Sequence, residues 1–245
     1  MKVYKLKLKD KNDHYSFFNE FSAAGGGFYN TDGRHNLSVD GSGVLPSVNV
    51  KEAQGIKRYL LKKFELPPSR KMRVLDVGAG AGYLQAALEK DETFEAYSFE
   101  GSSALLPHAI CDKSKYVICD LSKKIDDIRL FKAFNLTTSF EVFEHIYRSD
   151  LKCFIENLAF LGDYHLCSIH VANEESYTHC TIIPLEQWIE FFSDLNIKSE
   201  VLGYYPCSLD TNLEEMRSEC SLFHWNCSIF LLLSFKNGNR GKQSG

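Results

Sequence analysis

Three ionisable residues crowd into SFEVFEHI, residues 139–146: Glu141, Glu144 and His145. Apolar residues lead into the cluster, which places it at the end of a buried strand. Two carboxylates and an imidazole can take a proton as a general base. They can also hold a divalent cation that lowers the pKa of an acceptor hydroxyl. If the chain turns helical after Val142, positions i, i+3 and i+4 share one face and form a three-ligand corner. Mg²⁺ prefers an all-oxygen set, and Mn²⁺ or Fe²⁺ also fits a mixed oxygen and nitrogen set. Three readings stay open: a cation site, a metal-free base, or acids that cap the next helix.

A cluster at a strand end needs a sheet to present it. From residue 72 the chain alternates apolar runs with amphipathic stretches. RVLDVG, FEAYSFEG, YVICD, LTTSFEV and YHLCSIHV read as strands of a buried, parallel type. GYLQAALEK, IDDIRLFKAF, SDLKCFIENLAFLG and PLEQWIEFFSDLN read as helices, the last opened by Pro184. SEVLGYY and CSIFLLLSF follow with no clear helix between them and read as an antiparallel pair. The expected fold is α/β: a Rossmann-like, doubly wound, mostly parallel seven-stranded sheet with a C-terminal antiparallel strand pair. Residues 49–236 form that domain, with an entry helix over 49–65. Residues 1–48 form an N-terminal extension, read as a lid hinged at Gly25, Gly26 and Gly27, with Phe28 and Tyr29 covering the site. Residues 237–245 read as a disordered tail. In such sheets ligands bind beyond the carboxyl ends of the strands, at the topological switch point.

The first strand runs into Asp76-Val77-Gly78-Ala79-Gly80-Ala81-Gly82. Glycines there allow a tight turn and a close ligand approach to backbone. The third glycine comes one place early for a dinucleotide fingerprint, and no phosphate-cradling G-x-x-x-x-G-K-[ST] is present. V-L-D-V-G-A-G-A-G resembles the first motif of class I S-adenosylmethionine-dependent methyltransferases, over about residues 72–235. The resemblance implies S-adenosylmethionine as cofactor, held by Asp76, Gly78, Ala79 and Gly80. It implies that Glu100 accepts from the ribose hydroxyls and Asp120 from the adenine amino group. It places Leu121 beside the adenine ring, and Phe140 and Glu141 at the methionine end.

E-x-x-E-H also resembles the ubiquinone-pathway catechol O-methyltransferases and the small-RNA 3′-terminal ribose 2′-O-methyltransferases, both metal-dependent. The RNA group adds a later histidine as ligand; here the candidate is His179, with His170 second. The implied metal set is Glu141, Glu144, His145 and His179, and the implied catalytic set Glu141, His145 and His179. C-S-I-H-V followed by H-x-T-x-x-P-x-x-x-W-I, Cys167 to Ile189, looks like methyltransferases of glycan pathways. There the loop histidine meets an acceptor hydroxyl. The expected activity is therefore O-methylation of a sugar or glycan hydroxyl, with Mg²⁺ or Mn²⁺ assisting. The alternatives are an RNA terminal-ribose or quinol O-methyltransferase, and a cofactor-binding scaffold without catalysis. Trp188 reads as core packing.

Composition narrows the partners. The chain has 245 residues and a formal charge of −4, which gives no basic footprint for duplex nucleic acid and leaves only an RNA end. No apolar run reaches the length of a membrane span. MKVYKLKLKDKND lacks the apolar core of a signal peptide, so a cytoplasmic protein is expected. None of the eight cysteines forms a C-x-x-C pair, and all are expected to be reduced structural thiols.

Overall fold

The computed structural model describes residues 50–64, 71–125, 134–171, 179–204 and 228–235. The expected lid, the tail and most of the helix expected over 125–134 lie outside these residues. Seven strands form one sheet: β1 (Met72–Val77), β2 (Phe94–Glu100), β3 (Tyr116–Ile118), β4 (Phe134–Phe140), β5 (Gly162–His170), β6 (Ile197–Tyr204) and β7 (Ser228–Phe235). Their order is β3-β2-β1-β4-β5-β7-β6. The first five pair in parallel, and β7 lies antiparallel between β5 and β6. The expected class of fold and its antiparallel pair are both present.

Among the described residues, four α-helices cover the two faces: α1 (Val50–Lys63), α2 (Tyr83–Leu88), α3 (Leu151–Leu161) and α4 (Leu185–Asp194). Ala53, Ile56 and Leu60 of α1 and Leu84 and Leu88 of α2 bury against Val74, Leu136, Leu166, Phe230 and Leu232. Phe154 and Leu158 of α3 and Trp188 and Phe192 of α4 bury against Leu75, Cys167, Leu231 and Leu233. Alternate residues of each strand serve opposite layers, so strands covered on both faces read as continuous apolar runs. Fully burying side chains of this size contributes roughly 1.5–3 kcal/mol each. Trp188 is fully buried, as its place on the apolar stripe of α4 predicts.

One core histidine carries no chemistry. His165 on β5 is fully buried, with Nδ1 2.8 Å from Thr137 Oγ1 and Nε2 2.8 Å from Ser139 Oγ. Burial drives its pKa down to about 3, so the ring is neutral and bridges β4 to β5. No described helix is long and apolar enough to cross a membrane. The five described cysteines, Cys111, Cys119, Cys153, Cys167 and Cys180, are free thiols.

Candidate active site

The chain winds from β1 outward to β3, then returns to lay β4 on the other side of β1. The switch point is therefore the β1–β4 junction, where the glycine loop and SFEVFEHI emerge side by side. Gly78, Gly80 and Gly82 all take positive φ, at 67°, 56° and 77°. Space demands glycine as well as torsion. A Cβ on Gly78 would stand 2.5 Å from Val142 Cγ2, and one on Gly82 2.3 Å from Cys111 Sγ. The loop thus packs directly on the segment that carries Glu141 and Glu144.

Glu100 closes this loop. Its Oε2 accepts from the Gly80 amide at 2.9 Å, and its Oε1 from the Ser102 amide at 2.9 Å. Burial raises its pKa, against the pull of those backbone donors. The Gly101 amide also bears on this carboxylate, whose lone pairs are not all taken up. Beside it a Cβ on Gly101 would meet nothing within 4 Å, and Ser102 Oγ is buried with no hydrogen-bond partner. Open space, a carboxylate and an unsatisfied hydroxyl at one strand tip suit the hydroxyl-rich ribose of the expected cofactor. Sequence reading missed Ser102, although E-G-S at a strand end was its signal.

Asp120 follows β3. Burial pushes its pKa up, but donation from Ser122 and Lys123 outweighs this and holds it below the usual range. Oδ1 accepts from the Ser122 amide at 3.0 Å and hydroxyl at 2.5 Å, and Oδ2 lies 2.9 Å from Lys123 Nζ. Leu121 and Phe140 differ from expectation. Leu121 is buried in the α3–α4 core layer, and Phe140 in the other, stacked on Phe230 at 6.4 Å. Strand alternation turns the Phe140 ring into the core, and only its backbone remains at the strand tip.

Asp76 makes a test of its own. It is buried, accepts from Thr138 Oγ1 at 2.8 Å across the switch point, and has a pKa raised to about 7, chiefly by burial. Between pH 3.8 and about 7 the unfolded chain has lost this proton while the folded chain keeps it. Stability therefore falls as pH rises through that window. Asp76→Asn, which keeps an acceptor for Thr138, should flatten this slope and stabilise the ligand-free protein at pH 8 by up to about 4 kcal/mol. Thermal melts from pH 4 to 8 measure it; an unchanged slope removes Asp76 as its source.

Beyond β4 the chain departs from the expected helix. The strand ends at Phe140 rather than Val142, and Glu141 takes φ 56°, the left-handed region. A single 3₁₀ turn, Phe143–His145, follows. Phe143 anchors it, edge-on to Phe154, Trp188 and Phe192 at 5.2, 5.7 and 6.0 Å. The Glu144 carbonyl accepts from the Cys180 and Thr181 amides at 2.8 and 3.0 Å. Thr181 Oγ1 donates to the Ile146 carbonyl at 2.6 Å. Those bonds bring His179 against the turn, its ring 4.9 Å from His145 and 4.7 Å from His170.

One ligand atom each from Glu144, His145 and His179 lies within 4.8 Å of the others. Glu144 is fully buried, and neither of its carboxylate oxygens has a hydrogen-bond partner. Burial first, and the Glu141 charge second, hold its pKa well above the usual carboxylate range. Glu141 lies beside Glu144 but is not one of the three clustered groups, and it also reaches two serines. Its Oε1 accepts from Ser168 Oγ at 2.6 Å and its Oε2 from Ser228 Oγ at 2.8 Å.

Residues 51–206 match the family model described as a methyltransferase domain. The chain belongs to this family and has the class I fold of S-adenosylmethionine-dependent methyltransferases. No curated protein matches it. Among solved structures it is similar to magnesium protoporphyrin IX methyltransferase (ChlM) from Synechocystis PCC 6803 with bound SAH. Identity is 13% and TM-score 0.60, over 93% of this chain and 100% of that one. The methyltransferase domain of bacterial CtHen1-CN is 15% identical at TM-score 0.51, over 76% of this chain and all of that one. The CurJ carbon methyltransferase is 14% identical at TM-score 0.54, over 75% of this chain. The chain spans about half the length of CurJ, 54%, and of Haemonchus contortus phospholethanolamine N-methyltransferase 2, 52%.

Proposed function

We propose that the chain transfers a methyl group from S-adenosylmethionine to a hydroxyl of a sugar or glycan, assisted by a divalent cation at Glu144, His145 and His179. The observation that carries this is Glu144. A fully buried carboxylate that no well-formed hydrogen bond satisfies is costly, and a cation shared with two imidazoles removes the cost. Purely structural acids would be expected to cap a helix or pair with a basic group. Glu144 lies inside a single 3₁₀ turn and caps no helix, and the groups beside it are the two imidazoles.

S-adenosylmethionine, when bound, would supply an activated methyl group, and a cation at Glu144, His145 and His179 would supply Lewis acidity. The chain's own residues bind, align and exclude water. Glu100 accepts from the ribose hydroxyls, Asp120 from the adenine amino group, and Asp76 with the backbone of Gly78, Ala79 and Gly80 lines the methionine portion. Glu141, whose charge bears on Glu144, receives the proton that the acceptor hydroxyl gives up. A cation held by these three residues would have open positions for acceptor oxygens. A vicinal sugar diol offers a pair of such oxygens, and so do a catechol and a terminal ribose. The charge of −4 weighs against extended RNA contacts.

Exhaustive chelation should silence methyl transfer to a diol-bearing sugar panel, with Mn²⁺ restoring it and Mg²⁺ doing so only at higher concentration. Full activity after chelation sinks the cation. Preference for catechol or RNA ends in the same panel replaces the sugar as acceptor.

A further inference from the structure

We infer that Tyr116 is a positioning residue for the cofactor: its hydroxyl fixes the Gly80 backbone, and Gly80 in turn fixes the Glu100 carboxylate. The inference rests on the reading that Glu100 meets the ribose hydroxyls of S-adenosylmethionine, and adds the residue that holds Glu100 ready for them.

Tyr116 opens β3 and is buried. It pairs in register with Ser98 of β2, so it lies on the same face of the sheet as Ser98 and Glu100. From there its hydroxyl donates to the Gly80 carbonyl at 2.6 Å. The amide of the same glycine donates to Glu100 Oε2 at 2.9 Å. The peptide planes on both sides of Gly80 are therefore pinned, one from each strand. Glycine has the most conformational freedom to lose, and Gly80 is held at φ 56°. Without the Tyr116 hydroxyl a buried carbonyl loses its donor. Gly80 is then free to turn, and its amide no longer holds Glu100 Oε2 in place.

The chain leading into β3 braces the rest of the loop. The Ile110 amide donates to the Ala81 carbonyl at 2.9 Å, and Gln85 Nε2 donates to the Asp112 carbonyl at 3.2 Å. Cys111 fills the space against Gly82. Those contacts fix where the loop sits. Of these groups Tyr116 is the one bonded to Gly80, the residue that also binds Glu100.

The full chain is titrated calorimetrically with S-adenosylhomocysteine and with its 2′,3′-dideoxy form. Tyr116→Phe should weaken S-adenosylhomocysteine binding about five- to tenfold. The dideoxy form should lose no more than about twofold, because the damage runs through Glu100. Adding Tyr116→Phe to Glu100→Ala should weaken binding little beyond Glu100→Ala alone. Tyr97→Phe is the control. Its hydroxyl donates to Glu95 Oε1 at 2.7 Å near the start of β2, and its loss should leave affinity within about twofold. Wild-type affinity in Tyr116→Phe overturns the inference. Equal weakening of both ligands makes Tyr116 a general brace and overturns its link to Glu100. A wild-type protein that binds both ligands alike overturns the ribose reading itself, a result separate from the other two. If Tyr116→Phe does not fold, a difluorotyrosine at position 116 keeps the ring and hydroxyl but ionises below the ordinary value of about 10. Affinity for S-adenosylhomocysteine should then fall at least about fivefold as that hydroxyl ionises, beyond any change in wild type. Asp76 and Glu100 titrate in both proteins and cancel in the comparison. A profile parallel to wild type overturns the inference as well.

Discussion

Glu144→Gln is expected to lower kcat by about a thousandfold or more while S-adenosylmethionine affinity stays within about threefold. The separation follows from the fold. Glu100 and the open space beside Gly101 lie at the tip of β2, whereas Glu144 lies past the end of β4, on a turn anchored by Phe143. Loss of the carboxylate removes the only acidic member of the described ligand cluster and touches no bond of the glycine loop. The same substitution carries a stability signature of the opposite sign. Burial and the Glu141 charge hold the Glu144 carboxyl well above its ordinary value. The cation-free fold therefore loses stability as pH rises past 4.5, because the unfolded chain ionises while the folded site resists. The Gln variant should melt higher than wild type at pH 8 without cation, and lower than wild type once saturating Mn²⁺ is present. Rapid-quench turnover, calorimetry and paired melts measure the three effects. A variant that retains a tenth of wild-type turnover removes Glu144 from the chemistry. One that melts far below wild type without cation makes it a packing residue.

That contrast shows what the sequence could and could not convey. The glycine loop was legible because its requirement is local: three residues at positive φ, two of them pressed by Val142 and Cys111, tolerate only glycine. Strand alternation was legible for the same reason, since burial on both faces writes an unbroken apolar run such as SIFLLLSF. Placement of that run between β5 and β6 was not, because pairing order depends on contacts remote in sequence. The spacing of Glu141, Glu144 and His145 marked a candidate cluster but not its shape. Helical periodicity put all three on one face, but Ser168 and Ser228 arrive from β5 and β7 to draw Glu141 aside. Neither serine carries a local signal. His179 was recognisable as a candidate only by resemblance. Its actual neighbour is fixed by the Cys180 and Thr181 amides on the Glu144 carbonyl, bonds that any residue type can make. Backbone bonds of that kind leave no trace in side-chain identity.

Glu100→Ala tests the other half of the site and should weaken S-adenosylmethionine binding at least about a hundredfold. A carboxylate accepting two hydroxyl hydrogen bonds contributes about 1.5–3 kcal/mol for each, and a hundredfold loss corresponds to about 2.8 kcal/mol. A second loss acts in the same direction, because the Gly80 and Ser102 amides give up their acceptor and the loop loses its tie to β2. Asp120→Ala supplies the comparison. Its oxygens already serve Ser122 and Lys123 at a half-exposed position, so a loss of only about three- to tenfold is expected. To separate ribose contact from loop support, adenosine and S-adenosylhomocysteine are titrated alongside their 2′- and 3′-deoxy forms. If Glu100 reads the hydroxyls, the deoxy ligands bind wild type poorly and lose little further affinity in the Ala variant. If Glu100 only braces the loop, every ligand weakens by the same factor. Equal affinity of wild type and variant for S-adenosylmethionine would exclude both roles.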